Sequence, residues 1–250
     1  MSHTHISNEH APWLHRFLLK LNAIFPVFSL RVYKWGSEAS LRPVVGPPLR
    51  RLIDWYGRNM EKGKVITFHE VERLVDEARS CSIGDCPCLH VYPDPSAPLR
   101  EKCVRLNMAH EVAVRWDGRH HRTIAKQELL ARLRQLSHTH GLHHTVVFLG
   151  GPIVYAICTC SDHCIAYQMF ARYDQPHALV KGDYLSHVDE SRCVGCGECT
   201  PACRFGAMED GRVDADRCYG CGLCATRCRH GAVSMRLRHH VELPLPEAAG

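Results

Sequence analysis

The sequence predicts an α+β protein in which a mixed α/β, cysteine-rich domain precedes a small duplicated module. Three observations lead to this prediction. Within residues 64–185, segments with apolar residues at helical spacing alternate with strand-like apolar runs. Residues 186–237 repeat one short unit twice. All fifteen cysteines of the 250-residue chain fall within these two regions.

Residues 1–63 are predicted to form an N-terminal helical extension. Four large apolar residues recur there at helical spacing: Trp13, Phe17, Leu21 and Ile24. This spacing predicts a core-facing stripe on a helix that packs against its own domain. The aromatic and basic content of the segment leaves the alternative that the helix lies on a membrane or a partner. "RPVVGPPLR" at 42–50 predicts a break in the helical pattern.

The cysteine-rich domain, residues 64–185, carries clear helix and strand signals. Thr67 lies three residues before Glu70, which predicts a capping box at the start of a helix through Arg79. A second helix is predicted over 123–138, followed by a stop at Gly141. "TVVFLGG" and "IVYAICTC" predict two strands around a Gly-Gly-Pro turn.

Residues 186–237 are a repeat. Aligning 188–208 with 213–233 gives 12 identities in 21 positions, among them four cysteines and three glycines. Each unit predicts a short strand, a cysteine loop, a helical turn and another short strand. Residues 238–250 are assigned to a C-terminal tail.

Both units carry the spacing C-x2-C-x2-C-x3-C. Three thiolates of such a loop hold one [4Fe-4S] cluster, and the fourth cysteine serves the neighbouring cluster. The predicted ligand sets are Cys193, Cys196, Cys199 and Cys228 for the first cluster, and Cys218, Cys221, Cys224 and Cys203 for the second. Zinc is the alternative metal for CxxC pairs, but zinc sites usually separate two such pairs by a longer loop.

With this motif, residues 186–237 resemble a bacterial-type two-cluster ferredoxin domain, over about a fifth of the chain. The resemblance implies a ferredoxin-like pseudo-twofold fold of ββ/α repeats that binds two [4Fe-4S] clusters. Family members usually carry proline after the fourth cysteine, where this chain has Arg204 and Arg229. The added positive charge is expected to raise the reduction potential and leaves the ligands unchanged.

Seven more cysteines lie upstream: Cys81, Cys86, Cys88, Cys103, Cys158, Cys160 and Cys164. One or two of them fit the role of a small core residue. "CPC" at 86–88, "EKCVRLN" at 101–107 and "GGPIVYAICTCSDHC" at 150–164 resemble larger ferredoxin-like iron–sulfur proteins with a cysteine-rich α/β domain ahead of a two-cluster module. This resemblance implies a third metal centre, most simply a third [4Fe-4S] cluster. Its candidate ligands are Cys86, Cys88, Cys103, Cys158, Cys160 and Cys164.

The spacing does not choose among these candidates. Each C-x-C pair is expected to leave one cysteine spare, and zinc, a redox disulfide or a non-cubane centre at "CTCSDHC" are alternatives to a cubane. His163 within that motif is a candidate ligand or hydrogen-bonding partner of the centre. The other histidines are expected at solvated positions: His138, His140, His143 and His144 at a helix end, and His3, His5 and His10 near the N-terminus.

These motifs predict an electron carrier, or an electron-relay subunit of a cytoplasmic redox complex, with a redox enzyme as its partner. The alternative is a reductase whose substrate reacts at the upstream cysteines and receives electrons from the two C-terminal clusters. A sensing module is a third hypothesis, weakened by the lack of any DNA-binding motif. No dinucleotide fingerprint and no P-loop occur in the sequence.

Composition and charge narrow the partners and the compartment. The net charge of +5 with no basic tract argues against a nucleic-acid partner. The most apolar stretch, 21–30, is interrupted by Asn22 and Pro26 and is too short to span a bilayer, which leaves peripheral membrane contact open. Fifteen cysteines without an apolar leader-like start predict a reducing cytoplasm.

Overall fold

The computed structural model describes residues 13–95, 97, 99–117, 120–149, 154–161 and 163–238. The predicted Gly-Gly-Pro turn, His3, His5, His10 and residues 239–250 of the predicted tail lie outside these residues. No described helix is both long enough and apolar enough to cross a membrane.

Residues 13–59 form three helices, α1 (Trp13–Ile24), α2 (Pro26–Ala39) and α3 (Gly46–Asn59). Prolines stand in the first turn of α2 and of α3, where a missing backbone N–H costs no helical hydrogen bond. The predicted break at 42–50 therefore holds both the loop before α3 and its first turn.

The core-facing stripe predicted for α1 is wrong. Trp13, Phe17, Leu21 and Ile24 are 78%, 56%, 43% and 37% exposed. Among the residues of α1 whose burial the structure describes, Leu19 and Ala23 are buried, on a second apolar edge of the same helix. Periodicity identifies an apolar edge, but it does not say which of two edges meets the domain.

A seven-stranded sheet forms the centre of the α/β domain. Its strands are β1 (Glu61–Ile66), β2 (Cys81–Asp85), β3 (Glu101–Leu106), β4 (His121–Thr123), β5 (His143–Leu149), β6 (Val154–Cys160) and β7 (Leu179–Val180). The spatial order is β4-β2-β3-β6-β5-β1-β7. Neighbouring strands run antiparallel except for β1 and β7, which run parallel. β1 begins at Glu61, within the segment assigned to the N-terminal extension.

Helices α4 (Phe68–Glu77) and α6 (Lys126–His138) cover one face of this sheet. The predicted capping box is present: Thr67 Oγ1 accepts from Glu70 N at 3.3 Å, and Glu70 Oε2 accepts from Thr67 N at 2.8 Å. α6 begins three residues later than predicted because 121–123 pair with β2 as strand β4. Gly141 has φ +64° just after α6, as its stop role requires.

The opposite face of the sheet carries helices α1, α5 (Met108–Trp116) and α7 (Ile165–Tyr173). Strand residues alternate between the two faces. Val104 and Ile157 join the core under α4 and α6, whereas Cys103 and Ala156 join the core under α1 and α5. Cys103 of β3 and Cys158 and Cys160 of β6 therefore lie on the face of the sheet that α1, α5 and α7 cover.

The duplicated module follows the sheet. Its elements are β8 (Tyr184–Val188), α8 (Cys199–Ala202), β9 (Met208–Glu209), β10 (Arg212–Val213), α9 (Leu223–Arg227) and β11 (Val233–Leu237). β8 pairs with β11, and β9 pairs with β10, both antiparallel. Each small sheet therefore joins the first strand of one unit to the last strand of the other.

Candidate metal centres

The eight cysteines of the module surround two separate cavities. One is lined by Cys193, Cys196, Cys199 and Cys228. The other is lined by Cys203, Cys218, Cys221 and Cys224. Each cavity thus collects three cysteines from one loop and the fourth cysteine from the other loop, which is the grouping that the spacing predicts.

Glycine backbone conformations let each loop wrap around its cavity. Gly195 and Gly197 have φ +68° and +75°, and the equivalent Gly220 and Gly222 have φ +78° and +80°. Side-chain-bearing residues adopt such angles only at a cost. The duplicated glycines are therefore part of the loop geometry.

Backbone N–H groups point at the fourth cysteine of each unit. Ala207 N donates to Cys203 Sγ at 3.2 Å, and Ala232 N donates to Cys228 Sγ at 3.3 Å. Burial raises the pKa of Cys228, but the N–H groups of residues 230–233 outweigh it and lower the pKa overall. These hydrogen bonds favour the thiolate, which is the form that binds metal.

In the buried cavity the protein surroundings raise the pKa of the thiols, whereas at Cys228 they lower it. Burial, followed by the neighbouring thiols, raises the pKa of Cys221 to about 12 and that of Cys224 to about 11, and Ser186 Oγ lies 3.0 Å from Cys224 Sγ. Four thiolates in one buried place require a compensating cation. Soft sulfur donors around a cavity, with N–H groups aimed at sulfur, fit an iron–sulfur cluster.

The family described as "4Fe-4S binding domain" matches residues 186–209 and 212–234, one match for each unit. The C-terminal part of this chain is a ferredoxin-type iron–sulfur domain. Its two matched units correspond to two [4Fe-4S] clusters. A comparison with curated proteins finds no match to the chain.

The two loops of the ferredoxin-type domain differ in exposure. Cys196 is exposed and Val194 is 64% exposed, so the first loop faces solvent. In the second loop Cys218, Tyr219 and Cys224 are buried. Gly182 N donates to Tyr219 O at 3.0 Å, which holds this loop against the α/β domain.

The structure brings all six candidate ligands of the third centre together. We call this group the upstream thiol pocket: Cys86, Cys88, Cys103, Cys158, Cys160 and Cys164. Five of the six are buried, and Cys158 is half-buried. They come from four places in the chain, and the fold makes them neighbours.

Local structure explains how each cysteine reaches the pocket. Cys103 on β3 and Cys158 on β6 are register partners. Cys160 lies two residues further along β6 and so projects from the same face. Cys86 and Cys88 flank Pro87 at a short 3-10 turn after β2, and Cys164 is the N-cap residue of α7.

Both cysteines of each C-x-C pair lie in the pocket, and the expectation that one of each pair is not a ligand stays a prediction. Cys86 and Cys88 are hydrogen-bonding neighbours, and so are Cys158 and Cys160. Cys158 and Cys160 lie on β6, where a spacing of two residues puts both side chains on one face of the sheet.

Thiols of the pocket polarise one another. Hydrogen bonds from Cys160 and then Cys88 lower the pKa of both Cys86 and Cys164. Hydrogen bonds from Cys103 and then Cys160 lower the pKa of Cys158 to about 6. The same hydrogen bonds raise the pKa of Cys88, Cys103 and Cys160. Such a cluster is a strong site for a soft metal.

His163 belongs to this site. Its ligand atom, Cys86 Sγ and Cys160 Sγ lie within 4.8 Å of one another, and all three residues are buried. Nδ1 lies 3.0 Å from Ser161 Oγ and 3.4 Å from Asp94 Oδ2, while Nε2 has no hydrogen-bond partner among the described residues. Metal-binding histidines commonly have a carboxylate or other polar group at one ring nitrogen, which orients the ring so that the other nitrogen faces the metal.

Cys81 is a core residue and does not belong to the pocket. It packs in the apolar core under α4 and α6, and its Sγ lies 3.1 Å from Ile124 O. This fits the expectation that one or two upstream cysteines serve only as small buried side chains.

The solvated interpretation of the histidine-rich stretch is right for two residues and wrong for two. His138 and His140 are exposed. His143 and His144 are each 1% exposed because they already belong to β5, whose two faces are both covered. His143 contacts Phe205, and His144 Nδ1 lies 3.0 Å from Thr159 Oγ1.

Two basic residues beside the pocket were not singled out from the sequence. Lys102 is fully buried, and its Nζ has no partner among the described residues. Arg105 is 4% exposed, donates to Tyr155 O at 3.2 Å and stacks over the Tyr155 ring at 3.8 Å. Both line a cavity that the pocket cysteines also line. In the sequence, only their positions on either side of Cys103 in "EKCVRLN" indicate that they lie near the candidate metal ligands.

Aromatic rings fill the space between the pocket and the buried loop of the ferredoxin-type domain. Phe205 stacks on Tyr219 with ring centroids 4.4 Å apart, and Phe170 lies 5.2 Å from Tyr219. One apolar cluster includes Cys160 and Cys164 of the pocket, these rings, and Cys221 of the domain. The two metal-binding regions therefore share a wall.

Proposed function

We propose that this protein is an electron-relay protein with three iron–sulfur centres, acting as a carrier or as a subunit of a cytoplasmic redox complex. The observation that carries the proposal is the apolar cluster that packs Cys160 and Cys164 against Tyr219 and Cys221. A site that shares a wall with an iron–sulfur domain is well placed to exchange electrons with it. Each cluster, when bound, takes up and releases one electron.

The ferredoxin-type domain would hold its clusters by the two crosswise cysteine sets that surround its cavities. We take its two units to be related by a pseudo-twofold axis, supported by the exchanged strand pairs and by the equivalent N–H bonds to Cys203 and Cys228. The protein's part is to supply thiolates, donate N–H bonds to sulfur and keep water from the buried loop.

The upstream thiol pocket would hold the third centre. Six cysteines and His163 are available for the four ligand positions of a cubane, and we assign Cys160, the neighbour of Cys86, Cys158 and Cys164, as the ligand on which the centre depends. Lys102 and Arg105 provide basic groups next to the thiolates, which offsets the cost of burying negative charge. The centre would be shielded from solvent, unlike the cluster at the first loop.

The exposed loop 193–199 is the docking side that we assign to a redox partner protein. Cys196 reaches the surface there, and Arg229 pairs with Glu198 at 3.4 Å beside it. Electron exchange between proteins needs a short path from the surface to the centre, and this loop provides the shorter one. The buried loop faces the thiol pocket instead.

Metal analysis of anaerobically prepared protein tests the third centre. We expect about twelve iron and about twelve sulfide per chain, against about eight for the ferredoxin-type domain alone. Cys160→Ser should reduce the iron to about eight, because it removes a sulfur at the middle of the pocket.

Cys81→Ser is the matched control, since Cys81 is equally buried but lies in the other core. It should keep about twelve iron. Wild-type protein with only about eight iron, or loss of iron in the Cys81 variant alone, would contradict a third iron–sulfur centre.

A reductase is the second candidate function, and a cavity of about 340 Å³ favours it. Arg105 lines both this cavity and the one at the thiol pocket, and His90, His120 and His121 also line the larger cavity. A small anionic substrate could reach Arg105 there. We expect such an anion to shift an EPR signal that is absent from Cys160→Ser, and Arg105→Gln to abolish that shift. No shift with any small anion argues for the relay alone.

A further inference from the structure

We propose that α1, α2 and α3 dock this protein on an anionic lipid surface. Each helix presents large apolar side chains to solvent at helical spacing. We call this surface the aromatic face: Trp13, Phe17, Phe28, Trp35, Leu52 and Trp55, all between 55% and 78% exposed. The inner edges of the same helices are buried against the α/β domain, so the outer stripes are surplus to folding.

Positive charge is concentrated on the same helices. Residues 13–60 contain eight lysines and arginines but two acidic residues, a net charge of +6, while the whole chain has +5. The net charge of the protein therefore resides in this segment. Both acidic residues are already paired within their own helices, Glu38 with Lys34 and Asp54 with Arg58.

Tryptophan and phenylalanine next to arginine and lysine are typical of a helix that lies in the membrane interface. Rings enter the headgroup boundary, while basic side chains bind anionic headgroups. None of the described helices can cross a bilayer, which fits helices lying in the plane of the surface. The exposed Arg31 of α2 lies about one turn from Phe28 and from Trp35, and the exposed Arg51 of α3 lies about one turn from Trp55.

Charge also argues against a second copy of the chain as the occupant. A self-complementary interface would bring the basic residues of one copy against those of the other, which costs free energy. An acidic protein partner is the remaining alternative. A lipid surface fits better because three convex helix stripes need no matching pocket, whereas a protein interface depends on shape complementarity.

Vesicle co-sedimentation of the iron-loaded full chain under anaerobic conditions tests the proposal. Vesicles of phosphatidylglycerol and phosphatidylcholine should bind the protein at least about tenfold more strongly than phosphatidylcholine alone. Arg31→Glu with Arg51→Glu should remove most of that preference, because each basic residue near an anionic surface contributes about a fivefold factor. High salt should weaken binding in the same way.

Tryptophan variants separate the aromatic face from general stickiness. Trp35→Ser with Trp55→Ser should weaken binding by about tenfold or more. Leu237→Ser is the control, because Leu237 is 63% exposed on β11 of the ferredoxin-type domain, outside the three helices, and this variant should bind as wild type does. The visible absorbance of the clusters, unchanged in every variant, shows that folding and metal loading are intact.

Lack of binding to anionic vesicles, equal binding to neutral ones, or equal loss in the Leu237 control overturns the proposal. Dimerisation or capture of an acidic protein through the same face, without vesicle binding, would overturn it as well. None of these outcomes bears on the iron content, so this proposal and the electron-relay function fail independently.

Discussion

At the scale of single residues, surroundings decide what a cysteine does in this protein. Cys81 and Cys160 are both buried on strands of the same sheet. Cys81 meets aliphatic side chains and a carbonyl oxygen, whereas Cys160 meets three other thiols and lies near His163. Only the second environment can hold a metal, although the residue type and the burial are the same.

The buried ring of His144 on β5 predicts how stability depends on pH. Burial, followed by His143 and His138, lowers the pKa of His144 from 6.5 to about 3. Its ring stays neutral in the folded protein but takes up a proton in the unfolded chain below about pH 6.5. The stability linked to the neutral His144 ring is therefore fully present above pH 6.5 and is lost as the pH falls towards 3.

We expect His144→Gln to remove about 1 kcal/mol of the stability loss that the wild type shows between pH 7.5 and 5.5. Urea unfolding followed by circular dichroism at both pH values measures it. His140→Gln, at an exposed position, should leave the pH dependence as in the wild type. An unchanged pH dependence in the His144 variant would show that this ring is already protonated in the folded state.

At the scale of elements, two loops with one sequence pattern have different surroundings. A Cβ added to Gly195 would meet nothing within 4 Å, whereas one added to Gly220 would lie 2.1 Å from Tyr184 O. Both glycines have positive φ, +68° and +78°. The first loop needs glycine for its conformation alone, and the second needs it for conformation and for close approach to β8.

These contacts predict unequal costs for the same substitution. Gly195→Ala should cost about 1–2 kcal/mol, the strain of a left-handed residue. Gly220→Ala should cost more and should also reduce iron loading, because the backbone of β8 cannot yield as a flexible side chain would. Iron content and thermal unfolding of the two variants measure the difference. Equal losses would mean that the contact with β8 has no energetic weight.

At the scale of the whole molecule, the ferredoxin-type domain contacts the α/β domain at several places. Gly182 N donates to Tyr219 O at 3.0 Å, and Arg227 donates to Thr139 O at 3.2 Å. Phe205 contacts His143, Tyr167 and Tyr219 at once, so its ring joins both parts. The distance between metal-binding regions is thus set by tight packing.

Phe205→Ala should lower the free energy of unfolding by about 2 kcal/mol, since it leaves a gap at this junction. In a chain of this size the melting temperature should fall by several degrees. Phe28→Ala is the control at a 68% exposed ring and should change stability by less than about 0.5 kcal/mol. Similar melting temperatures for both variants would show that the junction is not a stabilising contact.

Local signals predicted the parts of the fold that local physics controls. The capping box of Thr67 and Glu70, the two strands around the central turn and the stop at Gly141 are present at or near the predicted positions. Signals that depend on the surroundings misled: the apolar stripe of α1 faces solvent, and His143 lies in a covered strand. Neither outcome follows from residue spacing, because spacing does not say what lies opposite.

The sequence by itself determined the ferredoxin-type domain and its two clusters, because cysteine spacing within one short loop already sets how thiolates can surround a cluster. Only the tertiary structure decided that six upstream cysteines form one pocket. They lie as far apart as Cys86 and Cys164, and the register of β3 with β6 and the start of α7 bring them together. The structure alone also decided which face of α1 is buried, because that depends on contacts between residues distant in the chain.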